Sequence, residues 1–120
     1  MLKDNFETGQ KGEEIASKYL IKKGYKIIAR NWHYSKNAEI DIIAEEKNCL
    51  VFIEVKTRKT LNFGHPFEAI TSKKIQKIHK AILAYLATCE KEYKSYRFDG
   101  IAIIGINNPE IEHLKNIGQF

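Results

Sequence analysis

The chain is poor in the residues that interrupt or crosslink a fold. It has two prolines in 120 residues, Pro66 and Pro109, and each falls between periodic segments, where a chain breaker belongs. Its two cysteines, Cys49 and Cys89, have neither zinc-ligand spacing nor a disulfide framework around them. Both read as free thiols in a reducing, cytoplasmic compartment. No apolar run approaches the roughly 20 residues needed to cross a bilayer. The N-terminus, MLKDNFETGQKGEE, is polar and mixed in charge, without the apolar centre of a secretory signal. Internal repeats, low-complexity tracts and flexible linkers are also missing. These absences argue against a membrane protein, a disulfide scaffold and a zinc module.

What remains is an ordinary globular balance, with 43% apolar and 29% charged residues. The length suits one hydrophobic core and is too short for two, so residues 1–120 are expected to form one domain. Twenty Lys and Arg against fifteen Asp and Glu give a net charge of +5 and a pI near 9.1. Such an excess is compatible with a polyanionic partner without demonstrating one. Where the charge sits matters more than its total.

Periodicity predicts a helix over 8–23, with Ile15, Ala16, Tyr19 and Leu20 on one face and Gly24 as its stop. Gly9 and Gly12 near its start suggest close packing or a loose first turn. A short strand is expected over 25–30. Two β-branched stretches, 39–45 and 50–57, then read as a hairpin reversing at Lys47-Asn48. After a loop over 58–66, a long amphipathic helix is expected over 68–90. Its apolar stripe is Ile75, Ile78, Ile82 and Leu86, and its basic one Lys73, Lys77 and Lys80. Strands over 97–106 and 111–115 complete the order αβββαββ. That order predicts an α/β fold, a mixed sheet of about five strands flanked by helices.

The strongest chemical signal is Leu50-Val-Phe-Ile-Glu54-Val-Lys56. Strand side chains alternate, so Glu54 and Lys56 share one face and Val51, Ile53 and Val55 the other. Charges in so apolar a strand are costly unless paired, solvated or bound to metal. The preceding strand repeats the pattern, with Glu39 and Asp41 on one face and Ile40 and Ile42 opposite. If Lys47-Asn48 is a two-residue turn, opposed residues have numbers summing to 95. Asp41 then faces Glu54 and Glu39 faces Lys56, with Cβ atoms roughly 5 Å apart. Two carboxylates so close repel unless a cation lies between them. Mg²⁺ fits, since it takes one or two carboxylates and keeps several waters, and Mn²⁺ is the natural substitute. Such an ion activates water and stabilises charge developing on a phosphoryl oxygen. Lys56 would hold the attacking hydroxide or clamp the scissile phosphate.

An aspartate followed about a dozen residues later by Glu-x-Lys on the next strand resembles the PD-(D/E)XK nuclease superfamily. More narrowly, the chain is similar to the YraN family of candidate endonucleases. The matching stretches are Gly12-Glu13 with Ala16, Tyr19-Leu20, Gly24-Tyr25, Asn31, Glu39-Ile-Asp41, Val51 through Lys56 with Arg58, Phe63-Gly64, Lys73 and Arg97-Phe98-Asp99. The resemblance implies a restriction-endonuclease-like fold and an endonuclease acting on DNA, including structured or branched forms. It implies metal ligation by Asp41 and Glu54, Lys56 as the catalytic cation, and a supporting carboxylate from Glu13. Arg58, Lys73 and Lys77 are the expected contacts to nucleic acid. A nuclease this small often needs a second copy to cut two strands, so a homodimer is a further expectation. Two positions depart from the family pattern: Ala38 replaces a glycine, and Gly100 a β-branched residue. Each touches local backbone geometry and removes no ligand.

Each residue also has an ordinary reading. Glu54 and Lys56 form a same-face ion pair, Glu13 complements a helix dipole, and Glu39 is a partner for Lys56 or a further ligand. Lys73, Lys74, Lys77 and Lys80 line a phosphate-tracking groove or form a solvated helix face. His33, His65, His79 and His113 have no metal spacing, and Asp99 pairs with Arg97. Trp32 and Tyr34 cap a core or stack on bases. The rival function is a non-catalytic nucleic-acid-binding or adaptor protein that keeps the fold.

Overall fold

Two apolar stretches joined by Lys47-Asn48 build the centre of the molecule. Both turn residues have positive φ, 49° and 65°, the two-residue reversal whose twist suits a hairpin. The computed structural model describes residues 2–36, 38–62, 64–105 and 107–120, with residues 2–7 as backbone alone. Its elements are α1 (Leu2–Lys22), β1 (Lys26–Ser35), β2 (Ala38–Glu46), β3 (Cys49–Arg58), α2 (Ser72–Thr88), β4 (Ser95–Ile104) and β5 (Glu110–Leu114). A 3-10 turn at Pro66–Ala69 precedes α2. The strands form one sheet in the order β1-β2-β3-β4-β5, parallel between β3 and β4 and antiparallel elsewhere. The expected order αβββαββ and the mixed five-stranded sheet are what the molecule has.

Each helix covers one face of the sheet. Ala16 and Leu20 of α1 pack with Ile42, Ala44, Val51, Ile53 and Ile101. Ile78, Ala81 and Ile82 of α2 pack with Ile40, Ile43, Leu50, Phe52 and Phe98. The central strand β3 is buried on both faces, which is why it reads as a continuous apolar run. Gly24 ends α1 at φ 95°, and the bonds Gly24 N–H to Ile21 (3.0 Å) and Tyr25 N–H to Leu20 (2.9 Å) close its last turn.

Several boundaries differ from expectation. β1 runs on to Ser35, because a strand on the sheet edge needs no apolar alternation to pair. α2 begins at Ser72 rather than 68. Thr71 caps it, its hydroxyl accepting from Lys74 N–H at 3.2 Å, while Pro66–Ala69 forms its own turn. The expected end of β4 at Ile106 lies outside the described residues, as does Phe63. Gly100 is accounted for by crowding, since a Cβ there would lie 2.9 Å from the Phe67 ring.

A second polar cluster ties β4 and β5 to α1. Asp99, fully buried, accepts from Arg97 Nε on both oxygens (3.0 and 3.2 Å) and from Asn116 N–H (2.9 Å). Its Oδ2 also meets His113 Nε2 at 2.8 Å, and His113 Nδ1 meets the Tyr19 hydroxyl at 3.1 Å. The expected Arg97–Asp99 pair is thus one part of a larger network.

α1 approaches β3 closely at Gly12, where an added Cβ would fall 1.9 Å from Thr57 Oγ1 and 3.0 Å from its Cβ. Close packing, rather than a loose turn, is the role of this glycine. Gly12→Ala should gain about 1 kcal/mol of helix propensity but lose more to overpacking, for a net loss of about 1–2 kcal/mol. Thr57→Ala in the same chain should restore most of it, as urea denaturation would measure. A Gly12→Ala protein more stable than the parent would refute this close approach.

Candidate active site

β2 and β3 pair as Ile42 with Ile53, Ile43 with Phe52, Ala44 with Val51, Glu45 with Leu50 and Glu46 with Cys49. Every pair sums to 95, the register expected from a two-residue turn. The pairing ends one step short of Asp41 and Glu54. There the Asp41 carboxylate turns into the ladder, and its Oδ2 accepts the Val55 N–H at 2.8 Å. The alternation of β2 breaks at the same residue: Ile42 packs in the α1-side core but Ile40 in the α2-side core. The expectation that Ile40 and Ile42 share a face is therefore corrected. A side chain that takes over a ladder hydrogen bond displaces the strand's regular pleat.

Glu54 is 5% exposed and is neutralised by two lysines. Lys56 Nζ lies 3.3 Å from Glu54 Oε1, and Lys74 Nζ, from the first turn of α2, lies 2.6 Å from the same oxygen. Glu39 does not pair with Lys56. It lies near His33, with Nε2 at 3.8 Å. The Asn31 amide nitrogen, in the orientation its neighbours require, donates to Glu39 Oε1 (2.9 Å) and to Glu13 Oε1 (2.8 Å). Asn31 sits in β1 at φ 53°, a conformation that asparagine tolerates better than most residues. It is the link between α1 and β2.

These groups meet in one cavity of about 390 Å³, lined by Glu13 from α1, Glu39 and Asp41 from β2, Glu54 and Lys56 from β3, and Lys74 and Lys77 from α2, among others. A second cavity of about 790 Å³, shared at Glu13, His33 and Glu39, opens along α1 and β1. All four expected catalytic residues, Glu13, Asp41, Glu54 and Lys56, are thus brought together. Of the expected nucleic-acid contacts, Lys77 lies on the cavity wall. Lys73 is exposed and outside it. Arg58 also lies outside, its Nη1 donating to the Thr57 carbonyl at 2.9 Å.

Electrostatics follow from the geometry. Burial, then the charge of Glu54, pushes the Asp41 carboxyl up to about 8, against the lowering effect of the Val55 amide. Glu13 is also raised, by burial first and then by Glu39 and Glu54, with Arg30 and Asn31 opposing. Burial and the neighbouring Lys74 lower Lys56. Burial would lower Lys74 too, but its bond to Glu54, its contact with Lys56 and the charges of Glu54 and Asp41 together raise it. Among the described residues, no three His, Cys, Asp or Glu side chains converge to hold a metal by protein ligands alone. The candidate ligands are two, Asp41 and Glu54, the number with which Mg²⁺ commonly keeps its waters. A half-buried carboxyl driven towards the protonated form by desolvation and by a neighbouring carboxylate is a donor that a divalent cation would relieve.

The raised Asp41 has a consequence for stability. In the unfolded chain it ionises near pH 4, whereas in the fold it keeps its proton to about 8. The folded state then binds more protons across that window, so its contribution is full below pH 4 and is lost as pH rises to about 8. Without divalent metal, stability should fall by up to about 1 kcal/mol per pH unit between pH 5 and 8. Asp41→Asn should remove that slope. Urea denaturation with EDTA at several pH values measures it, and identical slopes for both proteins would contradict the assignment.

Comparison with known proteins agrees on a single family. The family described as Uncharacterised protein family UPF0102 matches residues 12–103, which span Glu13, Asp41, Glu54, Lys56 and Lys74. A UPF0102 protein of Flavobacterium johnsoniae is 47% identical over 116 residues, covering 92% of each chain. One from Phocaeicola vulgatus is 48% identical, over 91% of this chain and 89% of its own. Another, from Chlorobaculum tepidum, is 45% identical over 89% and 88%. The chain therefore belongs to the uncharacterised protein family UPF0102.

Proposed function

We propose that this protein is a metal-dependent endonuclease of the YraN family, within the PD-(D/E)XK superfamily and its restriction-endonuclease-like fold. It would act in the cytoplasm on phosphodiester bonds of DNA, structured or branched forms included. The observation that carries this reading is the break in the β2–β3 ladder, where Asp41 leaves its pleat to cap Val55 beside the buried Glu54. An ion pair made for stability alone needs no such interruption.

Asp41 and Glu54 would hold Mg²⁺ or Mn²⁺, which when bound supplies an activated water and stabilises charge on the phosphoryl oxygen. The chain's own groups do the rest. Lys56, half-buried beside Glu54, offers an ammonium to the attacking oxygen or to the scissile phosphate. Lys74 holds the Glu54 carboxylate at 2.6 Å, fixing the oxygen that faces it. Glu13, steadied by Asn31, orients water from the α1 side. Lys77 on the rim attracts the phosphate backbone, an interaction that adds affinity without reading sequence. Cutting both strands of a duplex would call for two copies.

Asp41→Ala and Lys56→Ala should each lower metal-dependent cleavage by at least roughly a hundredfold, the scale on which metal-site and charge-stabilising groups act, with the fold intact by circular dichroism. Calorimetry should show Mg²⁺ or Mn²⁺ binding by the parent, alone or with a non-cleavable junction, and none by Asp41→Ala. Persistent cleavage in both variants would reject the site. Metal-independent DNA binding without cleavage would favour the adaptor.

A further inference from the structure

Beside the carboxylate pocket lies a smaller cavity of about 190 Å³ with a different lining: Tyr34, Ser35, Ala38, Lys77 and Lys80. No acidic side chain is among them. Ala38 and Lys77 line both cavities, so the two adjoin. Tyr34 is 52% exposed, yet its ring is supported. It stacks on Trp32 at 6.4 Å and 17°, Trp32 meets Tyr85 edge-on at 5.3 Å, and Tyr85 meets the buried Phe52 at 5.8 Å. A ladder of rings thus runs from the α2-side core to the surface. Its outermost ring is left in solvent on a cavity it lines with two exposed lysines, three residues apart on α2 and so neighbours on its surface.

An exposed aromatic next to ammonium groups matches a ligand that is flat and apolar on its faces and anionic at its edges. A nucleotide has that form. The bases of a continuous duplex have both faces covered by their neighbours, whereas an unpaired base has a free face to stack. Ring support lowers the ordering cost of binding, because Tyr34 is already positioned by Trp32. Lys77, common to both cavities, would meet the phosphate that joins the stacked nucleotide to the reacting one.

We propose that this cavity is a nucleobase subsite, in which an unpaired nucleotide beside the scissile phosphate stacks on Tyr34 while Lys77 and Lys80 hold its phosphates. The preferred substrate is then single-stranded or frayed DNA rather than uninterrupted duplex. This rests on the nuclease reading of the adjoining pocket and narrows it.

The test is fluorescence anisotropy with the full chain, using a labelled single-stranded oligonucleotide and a blunt duplex of the same sequence, with Ca²⁺ in place of Mg²⁺. The single strand should bind more tightly. Tyr34→Ala should weaken it roughly tenfold, as loss of one stacked base does, and leave the duplex nearly unchanged. Tyr34→Phe should bind like the parent, because stacking uses the ring face and not the hydroxyl. Lys77→Gln and Lys80→Gln should each reduce the salt dependence by about one contact. Trp32, the only tryptophan, should change its emission as the single strand binds. Unchanged single-strand binding by Tyr34→Ala overturns the subsite, as does an equal loss for single strand and duplex. So does a shift from dimer to monomer in sedimentation, which would make the ring a contact between copies. Cleavage separates the two readings. Tyr34-dependent binding without metal-dependent cleavage keeps the subsite and removes the nuclease, while metal-dependent cleavage of single-stranded DNA indifferent to Tyr34→Ala does the reverse.

Discussion

Where the β2–β3 ladder would continue past Ile42 and Ile53, the Val55 amide is taken by the Asp41 carboxylate. That substitution keeps a buried donor satisfied while parting the two central strands. Because the strands part, groups from opposite layers of the sheet reach one cavity: Glu13 from α1, Lys74 and Lys77 from α2. An unbroken ladder would have left these helices on separate faces. The make-up of the cavity depends on this one hydrogen bond.

The phase of α2 is the second constraint. Thr71 caps the helix, and Ile75, Ile78 and Ile82 turn its apolar stripe to the sheet. With start and stripe fixed, Lys74 falls over Glu54 and Lys77 follows at the rim, three residues on. Lys73 is only one residue away, but one residue is about 100° of helix rotation, and it projects into solvent. Two adjacent lysines therefore differ in kind. One neutralises a buried carboxylate, and the other is surface charge.

This explains what was legible from the sequence and what was not. The hairpin register from Ile42 to Glu46, the meeting of Asp41 and Glu54 in one cavity and the αβββαββ order follow from local rules: a two-residue turn, a period of two, and apolar stripes at helical spacing. Asn31 and Lys74 were noticed, but the bridging of Glu13 and Glu39 by the one and the pairing of the other with Glu54 escaped, because those roles come from contacts with other elements. A faint signal existed for each. Asn31 is an asparagine inside a strand pattern, and Thr71 before a lysine pair marks a helix start later than position 68. The pairing of Glu39 with Lys56 failed because it extended the regular register through the residue where regularity ends. Gly12 was readable as a packing residue, but its partner Thr57 was not, since no local rule sets helix against strand.

Two buried polar clusters remain to be compared, and their difference is what assigns them. Asp99 is fully enclosed, and its oxygens are met by Arg97, His113 and a backbone amide. Such a network is complete, and a complete buried network specifies packing. Asp41 is only half-buried, its surroundings include the carboxylates of Glu54, Glu13 and Glu39, and its carboxyl is pushed up to about 8. That arrangement costs stability at neutral pH, and it faces a solvent-open cavity rather than a sealed core. Unfavourable electrostatics held in place by surrounding structure gather at functional sites, where a ligand completes them. The divalent cation of the proposed nuclease would supply such a completing charge, being positive, small and oxygen-seeking.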